Sequence, residues 1–433
     1  MSKGIVTGID IGSSKITTLI INVDEGNISV LGVSSYKSSG IKKGVIVNID
    51  DAVHCISESL EAAERMAGIR VSNAYVSLGC RQISSTNNKG VIAVSNDEIS
   101  YDDISRVRES SVAVSIPQSI EVLHTIAREY VVDSQGGIKD PIGMSGIRLE
   151  MDTHIITVSS MVLHNLKKCV SQVGLSVVDI VFSGWADAEI ILNQTEKDLG
   201  VVLLDIGFGI TDLVLYHDDS IAFSNSIPIG SSNITNDLAI GLRLTIEEAE
   251  KVKCNYPILI KKAQQRLEKN DKESRYNKKD ISNLLMKDDL ILKLSDIGID
   301  TDSGFDEVRK SMIDEIIEAR IDEIFNAVKT NIKKAGFDYN MPAGFVLTGG
   351  GSKLYSISKM AQRFFNTSAR VGYPTKYSAL NGEISGPSFS TVQGIVNYGE
   401  LSLSKDKSSN LVSSKDFSNK AKGIVDWIKT LIP

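Results

Sequence analysis

Two similar strand–turn–strand segments, one near the start of the chain and one near its middle, constrain the fold more than any other feature. In the first, an apolar run leads to Asp10, and a second β-rich run begins after Lys15. The turn between them can hold phosphate, because Gly12 lets the backbone approach closely and Lys15 supplies positive charge. Taken alone, the pattern also fits an ordinary hairpin turn. The residues of this turn are Asp10, Ile11, Gly12, Ser13, Ser14 and Lys15.

The second segment repeats the scheme around Asp205, Ile206 and Gly207, and an apolar run again follows the turn. A repeated strand–loop–strand unit indicates two like domains that face each other. Their loops would then hold the phosphates of a nucleotide between them. A third glycine loop, residues 349–352, follows an apolar run and precedes a predicted helix. It suits close approach to a base or sugar, and a simple glycine hinge is the alternative.

The acidic residues of the two turns are the predicted metal and catalytic groups. Asp10 and Asp205 can each hold a hydrated Mg²⁺ through water, and Asp205 is also the candidate catalytic residue. Charged residues on a later predicted helix could reach a ribose or base, although a solvated helix face explains them about as well. The predicted nucleotide contacts are Asp10, Gly12, Ser13, Ser14, Lys15, Gly207, Phe208, Gly209, Gly230, Ser231, Asn233, Glu247, Glu250, Lys251, Gly349, Gly350, Gly351 and Ser352.

Composition and charge exclude several classes of protein. The net charge of −7 disfavours a general nucleic-acid binder, which needs a basic face for phosphate contacts. The four cysteines and five histidines show no metal-ligand spacing, so a structural zinc site is not expected. Neither a membrane-spanning apolar run nor a secretory signal is evident. We therefore expect a protein that stays inside the cell, with reduced thiols.

Three further segments lie between the repeated turns and the third glycine loop. Residues from about 83 to 161 read as a compact insertion without a catalytic set, so we interpret them as a recognition module. His124 and His154 lie there in apolar strands and are expected to be satisfied core or interface histidines. Residues 261–289 are polar and lysine-rich, and their role is not evident. A long amphipathic helix is predicted from about residue 306 to 335.

The C-terminal tail is predicted to be separate from the body. Residues 401–414 are rich in serine and lysine and are predicted to form a flexible linker. The last residues regain a helical pattern with one apolar face, which is typical of a helix lying in a membrane interface. The alternative is a terminal helix that docks on the protein's own core. The predicted membrane contacts are Phe417, Ile424, Trp427, Ile428 and Leu431.

The three glycine loops, in this order, are similar to the phosphate, phosphate and adenosine motifs of the actin, Hsp70 and sugar-kinase superfold. Three further stretches narrow the resemblance to the bacterial actin-like cell-division proteins of the FtsA family. These stretches are residues 40–49, 136–150 and 235–243, of which the second lies in the insertion. The likeness covers roughly residues 1 to 400 and recurs at the amphipathic end.

The resemblance implies an α/β, actin-like two-domain ATPase fold with ribonuclease-H-like duplicated halves, an inserted subdomain 1C and a C-terminal amphipathic helix. It implies ATP with Mg²⁺ in a central cleft, at most weak ATPase activity, and head-to-tail filaments at the inner face of the plasma membrane, at the division septum. It also implies tethering of the FtsZ ring, recruitment of later divisome membrane proteins, and docking of the FtsZ C-terminal peptide on subdomain 2B. Arg309, Lys310 and Arg320 are the candidate contacts for that peptide.

The same resemblance divides the chain into named parts. Subdomain 1A comprises residues 1–82 and 162–195, and the chain returns to it at 381–399. Subdomain 1C is 83–161, and subdomains 2A and 2B span 196–380, with 2B at about 246–335. The linker is 400–414, and the membrane-targeting helix is 415–433.

Several residues depart from the family pattern. In the second phosphate loop, Phe208 and Ile210 replace a usual glycine and threonine, and Ser231 replaces a second glycine after Gly230. Pro257 and Ala319 replace a usual glycine and proline. The lost threonine hydroxyl is a group that could bond phosphate or metal-bound water. We therefore expect ATP binding to survive while hydrolysis is slow or absent.

Other proteins on the same superfold are the alternatives. A small-molecule kinase needs a base near the acceptor hydroxyl, and the insertion offers no obvious one. A chaperone ATPase needs a separate peptide-binding domain, for which too few residues remain. An actin-like adaptor of pilus assembly shares the superfold but lacks the segment 136–150.

Overall fold

Two five-stranded sheets with the same strand order form the centre of the computed structural model. The structure describes residues 4–24, 27–113, 117–273, 290–299, 306–338, 341–377 and 384–403. In each sheet, an antiparallel meander of three strands is extended on one side by two parallel strands. The duplication predicted from two short turns therefore extends through both halves, and the actin-like α/β fold class is confirmed.

From edge to edge, the first sheet has the order β11-β6-β1-β2-β3. In the equivalent direction, the second has the order β18-β17-β12-β13-β14. The strands of the first sheet are β1 (Gly4–Ile11), β2 (Lys15–Asp24), β3 (Asn27–Lys37), β6 (Asn73–Leu78) and β11 (Ser176–Phe182). Those of the second are β12 (Val201–Ile206), β13 (Thr211–His217), β14 (Ser220–Ile227), β17 (Phe345–Thr348) and β18 (Ala369–Val371). The central strands β1 and β12 are almost wholly buried because their residues are mostly apolar on both faces.

Helices cover the faces of the two sheets. They are α1 (Ile49–Ala67), α2 (Tyr101–Val112), α3 (Ser160–Gln172), α4 (Ser183–Ile191), α5 (Gln194–Leu199), α6 (Ser231–Leu242), α7 (Ile246–Glu273), α8 (Lys310–Lys334), α9 (Ile357–Phe365) and α10 (390–403). Short 3₁₀ turns occur at Leu294–Ile297, Gly350–Lys353 and Pro387–Phe389, and short strand pairs join β4 (Ile41–Lys42) to β5 (Val45–Ile46) and β15 (Ile291–Lys293) to β16 (Glu307–Arg309).

The insertion is a four-stranded antiparallel sheet with the order β7-β10-β8-β9, packed against α2. Its strands are β7 (Ser84–Ala93), β8 (Ile120–Val132), β9 (Gln135–Ile138) and β10 (Arg148–Ser159). Ser100 begins α2 with a capping box to Asp103, which satisfies backbone donors of the first turn. A separate small core, built around Val107, Leu149 and Met151, stabilises this unit.

The insertion lies in the sequence between β6 and β11 of the first sheet, but it contacts the edge strand β14 of the second sheet. The Asn87 amide donates to the main-chain oxygen of Ala222 at 2.8 Å, and Ser85 Oγ donates to that of Ser224 at 2.6 Å. His154 is fully buried at this contact, where its ring nitrogens meet Asn87 and the Ser224 hydroxyl at 2.6 and 2.8 Å. His124 is also buried and accepts from the Phe182 amide at 3.0 Å. The prediction that both histidines are satisfied is confirmed.

Three predicted segments differ from the structure. The helix expected from residue 306 begins at Lys310, because Glu307–Arg309 pairs with β15 instead, a tertiary partner that helical periodicity does not reveal. Helix α7 continues to Glu273, so the first part of the lysine-rich segment 261–289 is helical, and Pro257 lies inside that helix. Residues 400–403, predicted as the start of the linker, are instead the last residues of α10, because Leu403 still packs against the core cluster that contains Val6 and Leu19.

The remainder of the lysine-rich segment, the rest of the predicted linker and the predicted membrane helix lie outside the described residues. Within the described part of the chain, no helix combines the length and the apolar character needed to cross a bilayer.

Candidate functional site

A cavity of about 590 Å³ opens where the turns of the two sheets face each other. Its walls come from the β1–β2 turn, the β12–β13 turn, the glycine loop after β17, helices α6 and α7, and residues 387–391. This volume lies in the range usual for small-molecule sites, and its position between duplicated halves matches the one expected for a ligand held by both.

The two turns that meet at the cavity have the same hydrogen-bonded geometry. Gly12 N donates to the Lys15 carbonyl at 3.1 Å, and Gly207 N donates to the Ile210 carbonyl at 2.9 Å. Ile210 therefore occupies in the second turn the position that Lys15 has in the first. Gly209 faces the other half, and a Cβ there would lie 3.0 Å from the Cα of Lys43. The two halves approach too closely at this point for a larger residue to fit without displacement.

Three aspartates, Asp10, Asp205 and Asp212, line the cavity, and a fourth, Asp187, is buried beside Asp205. Burial is the main cause that raises the pKa of each carboxyl, and their mutual repulsion adds to the effect for Asp187, Asp205 and Asp212. The pKa of Asp205 is raised to about 7, and those of Asp187 and Asp212 lie well above their usual range. The cluster therefore retains protons near neutral pH rather than carrying four negative charges.

Hydrogen bonds orient these carboxyls. Ser77 Oγ donates to Asp10 Oδ1 at 2.8 Å, and the Ser226 hydroxyl donates to Asp212. Asp187 accepts from the Thr391 hydroxyl at 3.4 Å, while its own carboxyl donates to Asp205, which acts to lower the pKa of Asp205. Asp187 on α4 and Asp205 at the end of β12 are thus neighbouring carboxyls, and the charge of Asp205 adds to the effect of burial in raising the pKa of Asp187.

Two lysines, Lys15 and Lys353, also line the cavity. Lys15 Nζ lies 3.7 Å from the ring centroid of Phe389, and Lys353 Nζ donates to Ser388 Oγ at 2.9 Å. Burial lowers the pKa of Lys15 to about 8, Asp10 opposes that shift, and the charge of Lys353 adds to it. Because Lys353 perturbs Lys15, the two ammonium groups lie close enough to form one region of positive potential.

The outer wall holds an ion pair within α7, whose lysine is buried against α6. Lys253 Nζ contacts Glu250 at 2.7 Å and donates to Thr235 Oγ1 at 2.8 Å and to the main-chain oxygen of Ser231 at 3.2 Å. Although burial acts to raise it, the Lys253 charge holds the pKa of Glu250 below its usual value. Cys254, the exposed member of four free cysteines, lines the same wall.

Most of the residues predicted to contact a nucleotide line this cavity, and some do not. Those that line it are Asp10, Gly12, Ser13, Ser14, Lys15, Asp205, Gly207, Phe208, Ser231, Glu250, Gly349, Gly350 and Gly351. Those outside its wall are Gly209, Gly230, Asn233, Glu247, Lys251 and Ser352. Glu247 and Lys251 are exposed on α7, whereas Asn233 caps the Gly230 amide at 3.2 Å and Ser352 donates to the Gly349 carbonyl at 2.8 Å.

Sequence reasoning missed Asp187, Asp212, Lys253, Lys353 and Phe389. Asp212 was detectable, since it follows the second turn within the repeated segment. Asp187 was a second signal, because it is an acidic residue among apolar neighbours on a predicted helix. Among the described residues, no group of three or more histidine, cysteine or acidic side chains is arranged to hold a metal ion directly.

The candidate partner residues lie together on α8 and the strand before it. Arg309 is exposed, whereas Lys310 is paired with Asp314. Arg320 donates to Asp237 on α6 at 2.6 and 2.9 Å, so two of the three cations already have acidic partners.

The duplicated halves and the opposed turns around a central cavity define an actin-like protein. The fold resembles that of a chain in the PilM-PilN type IV pilus biogenesis complex, with a TM-score of 0.58 over 91% of this chain and 98% of the other, at 14% identity. Residues 80–157 match a family model described as the SHS2 domain inserted in FTSA, and residues 202–394 match one described as Cell division protein FtsA.

Full-length relatives identify the family. The chain is 34% identical to Cell division protein FtsA of Pseudomonas aeruginosa, over 96% of this chain and 94% of the relative. It is 33% identical to Cell division protein FtsA of Borreliella burgdorferi, over 99% of this chain and 100% of the relative. The chain therefore belongs to the FtsA family of cell-division proteins, and the resemblance found in the sequence is confirmed.

Proposed function

We propose that this chain binds ATP with Mg²⁺, forms filaments at the inner face of the plasma membrane, and tethers the FtsZ ring there at the division septum. One observation carries the nucleotide part of the proposal: the two equivalent turns face each other across a cavity that is lined by both lysines and aspartates. This arrangement suits a polyanion accompanied by a cation. Membership of a cell-division family supports the cellular role.

The described residues fit ATP and Mg²⁺. The backbone amides of the two turns and the cations Lys15 and Lys353 would bind the phosphates, and the glycine loop 349–351 would admit the nucleoside. Asp10 and Asp205 would hold the ion through water. When bound, Mg²⁺ neutralises phosphate charge. Glu250 and Lys253 stand on the nucleoside side, where their fixed ion pair offers an acceptor and a donor to ribose hydroxyls.

Slow hydrolysis is the second element of the proposal. The cavity wall formed by the second turn carries Phe208 and Ile210, which supply no hydroxyl for a phosphate or a water molecule. Asp205 remains the candidate catalytic residue, but burial and the charge of Asp10 raise its pKa to about 7. Single-turnover hydrolysis with purified protein tests this, and a rate constant on the order of 1 s⁻¹ would refute it.

The C-terminal helix is proposed to attach the protein to lipid through Phe417, Ile424, Trp427, Ile428 and Leu431. Liposome co-sedimentation of the full chain against a chain ending near Ser404 tests the proposal. The full chain should pellet with vesicles that contain anionic lipid, and the shortened chain should stay in the supernatant. Equal pelleting of both would contradict membrane attachment through this helix, and replacement of Trp427 and Ile428 by charged residues should mimic the truncation.

Docking of the FtsZ C-terminal peptide is proposed for the surface around Arg309, Lys310 and Arg320, in the part that we assign to subdomain 2B. Arg309 is the first candidate to test, because it is exposed and the other two are paired with acids. Arg309→Glu should weaken peptide binding in a fluorescence anisotropy titration. Lys329→Glu, near the C-terminal end of α8, is the control. Equal losses of peptide affinity for both variants would speak against a local site.

A further inference from the structure

A short segment of the cavity wall contacts both halves of the protein. The Pro387 carbonyl accepts from Gly349 N at 3.2 Å and from Thr348 Oγ1 at 3.4 Å, and both donors belong to the second half. Two residues further on, Phe389 packs against the core cluster to which β1 and β2 contribute Val6 and Leu19. The segment Pro387–Phe389 is therefore anchored on each side of the cavity, and helix α10 continues from it.

The same segment holds one lysine from each half. Phe389 lies under the ammonium group of Lys15, from the β1–β2 turn, with 3.7 Å between Nζ and the ring centroid. The neighbouring residue, Ser388, accepts a hydrogen bond of 2.9 Å from Lys353, which follows the glycine loop of the second half. Two adjacent residues thus bind two cations whose positions in the sequence are far apart.

This pairing needs an explanation, because like charges repel. The charge of Lys353 contributes to lowering the pKa of Lys15, so each ammonium group makes the other less favourable. The negative face of an aromatic ring and a hydroxyl oxygen are both neutral groups that attract an ammonium without cancelling its charge. A carboxylate in either place would also hold the lysine, but its negative charge would cancel the positive charge that attracts a bound anion.

We propose that Ser388 and Phe389 are positioning residues that hold Lys353 and Lys15 side by side as a two-lysine clamp for the phosphate chain of a nucleoside di- or triphosphate. The proposal rests on the nucleotide site proposed above and assigns a role there to three residues outside the predicted set. It makes the clamp dependent on both halves, since each half supplies one lysine and the Pro387–Phe389 segment joins them.

Calorimetric titration of the full chain with ATP, ADP and adenosine tests the clamp. Phe389→Leu keeps an apolar side chain but removes the ring face, and we expect about 3- to 30-fold weaker binding of ATP and ADP, with adenosine affinity unchanged. Phe389→Tyr keeps the ring and should restore phosphate-dependent affinity. Ser388→Ala should show the same selectivity in a smaller loss. Tyr101→Leu, on the exposed surface of the insertion, is the matched aromatic control.

A double-mutant cycle separates positioning from packing. In a Lys15→Met background, Phe389→Leu should cause no further loss of ATP affinity, because the ring acts through that lysine. Unchanged ATP affinity in Phe389→Leu, or an equal loss for adenosine and ATP, would overturn the clamp. If the unaltered protein binds adenosine and ATP equally, the clamp fails while a nucleoside site stands. If the unaltered protein binds neither, the proposed nucleotide site itself fails.

Discussion

Replacement of Asp187 by asparagine gives a direct measure of the buried carboxyl cluster. Asp187 is fully buried on α4, accepts from Thr391 and lies beside Asp205, whose charge adds to the effect of burial in raising its pKa. Asparagine has almost the same shape, and its amide can donate the hydrogen bond to Asp205 that the protonated carboxyl donates. The substitution therefore removes a titrating group with little change in packing, so that its effect appears mainly in the pH dependence of stability.

The sign follows from the direction of the pKa shift. Burial raises the pKa of Asp187 well above 3.8, the ordinary value that applies in the unfolded chain. Above that value the folded protein keeps a proton that the unfolded chain has released, so the free energy of unfolding falls as pH rises. One fully retained proton changes it by about 1.36 kcal/mol per pH unit, which is the upper limit for a single carboxyl. Asp187→Asn should make the slope of the unaltered protein shallower by up to that amount.

The assay is urea unfolding at several pH values without nucleotide or Mg²⁺, since a bound ligand would add its own linkage. Trp185 lies two residues before Asp187 on the same helix, and its fluorescence reports on this region. The buried histidines are common to both proteins, so the difference between the two slopes reports on Asp187 together with Asp205, whose surroundings the substitution also changes. Asp102→Asn, at an exposed carboxyl, is the control. Parallel slopes for Asp187→Asn and the unaltered protein would refute a retained proton.

Three further predictions concern the cavity and the insertion. Gly349→Ala should destabilise the fold by about 2 kcal/mol or more in urea unfolding, because φ is +79° and a Cβ would lie 1.9 Å from Asp205 Oδ1. Gly350→Ala is the control and should be tolerated, because a Cβ there meets nothing within 4 Å. ATP should slow the alkylation of Cys254 by N-ethylmaleimide, followed by mass spectrometry; an unchanged rate would argue against a ligand along that wall. Asn87→Ala should cost about 1–2 kcal/mol of unfolding free energy, because it leaves a carbonyl of β14 unpaired at the insertion contact, and an unaltered midpoint in urea would contradict this.

The duplicated fold was predictable from the sequence because its signal is local and occurs twice. Each turn carries its acid, its glycine and its flanking strands within a few residues, so one short window contains the whole pattern. The hydrogen bonds Gly12 N to Lys15 O and Gly207 N to Ile210 O show that equal spacing produced equal geometry. Repetition of such a unit implies repetition of its sheet.

The parts of the site that were missed depend on which side of an element faces the cavity. On α7, Glu247 and Lys251 were predicted contacts, but they point to solvent, whereas Glu250 and Lys253 line the wall. Charged residues occur on several faces of this helix, so the sequence does not reveal its rotation about its own axis. That rotation is set by apolar residues such as Tyr256, which pack against the rest of the second half.

Strand β14 contacts both the aspartates at the cavity and the insertion. Ser226 donates to Asp212 at the cavity floor, and Ser224, two residues earlier on the same face of the strand, contacts His154 of the insertion. His154 Nδ1 must donate to Asn87 Oδ1, which can only accept, so Nε2 accepts from Ser224 and the histidine is neutral; burial lowers its pKa to about 3. These bonds hold Ser224 and Ser226, the two ends of a short stretch of extended backbone. A displacement of Asp212 that moves this strand must therefore also change the contact with the insertion.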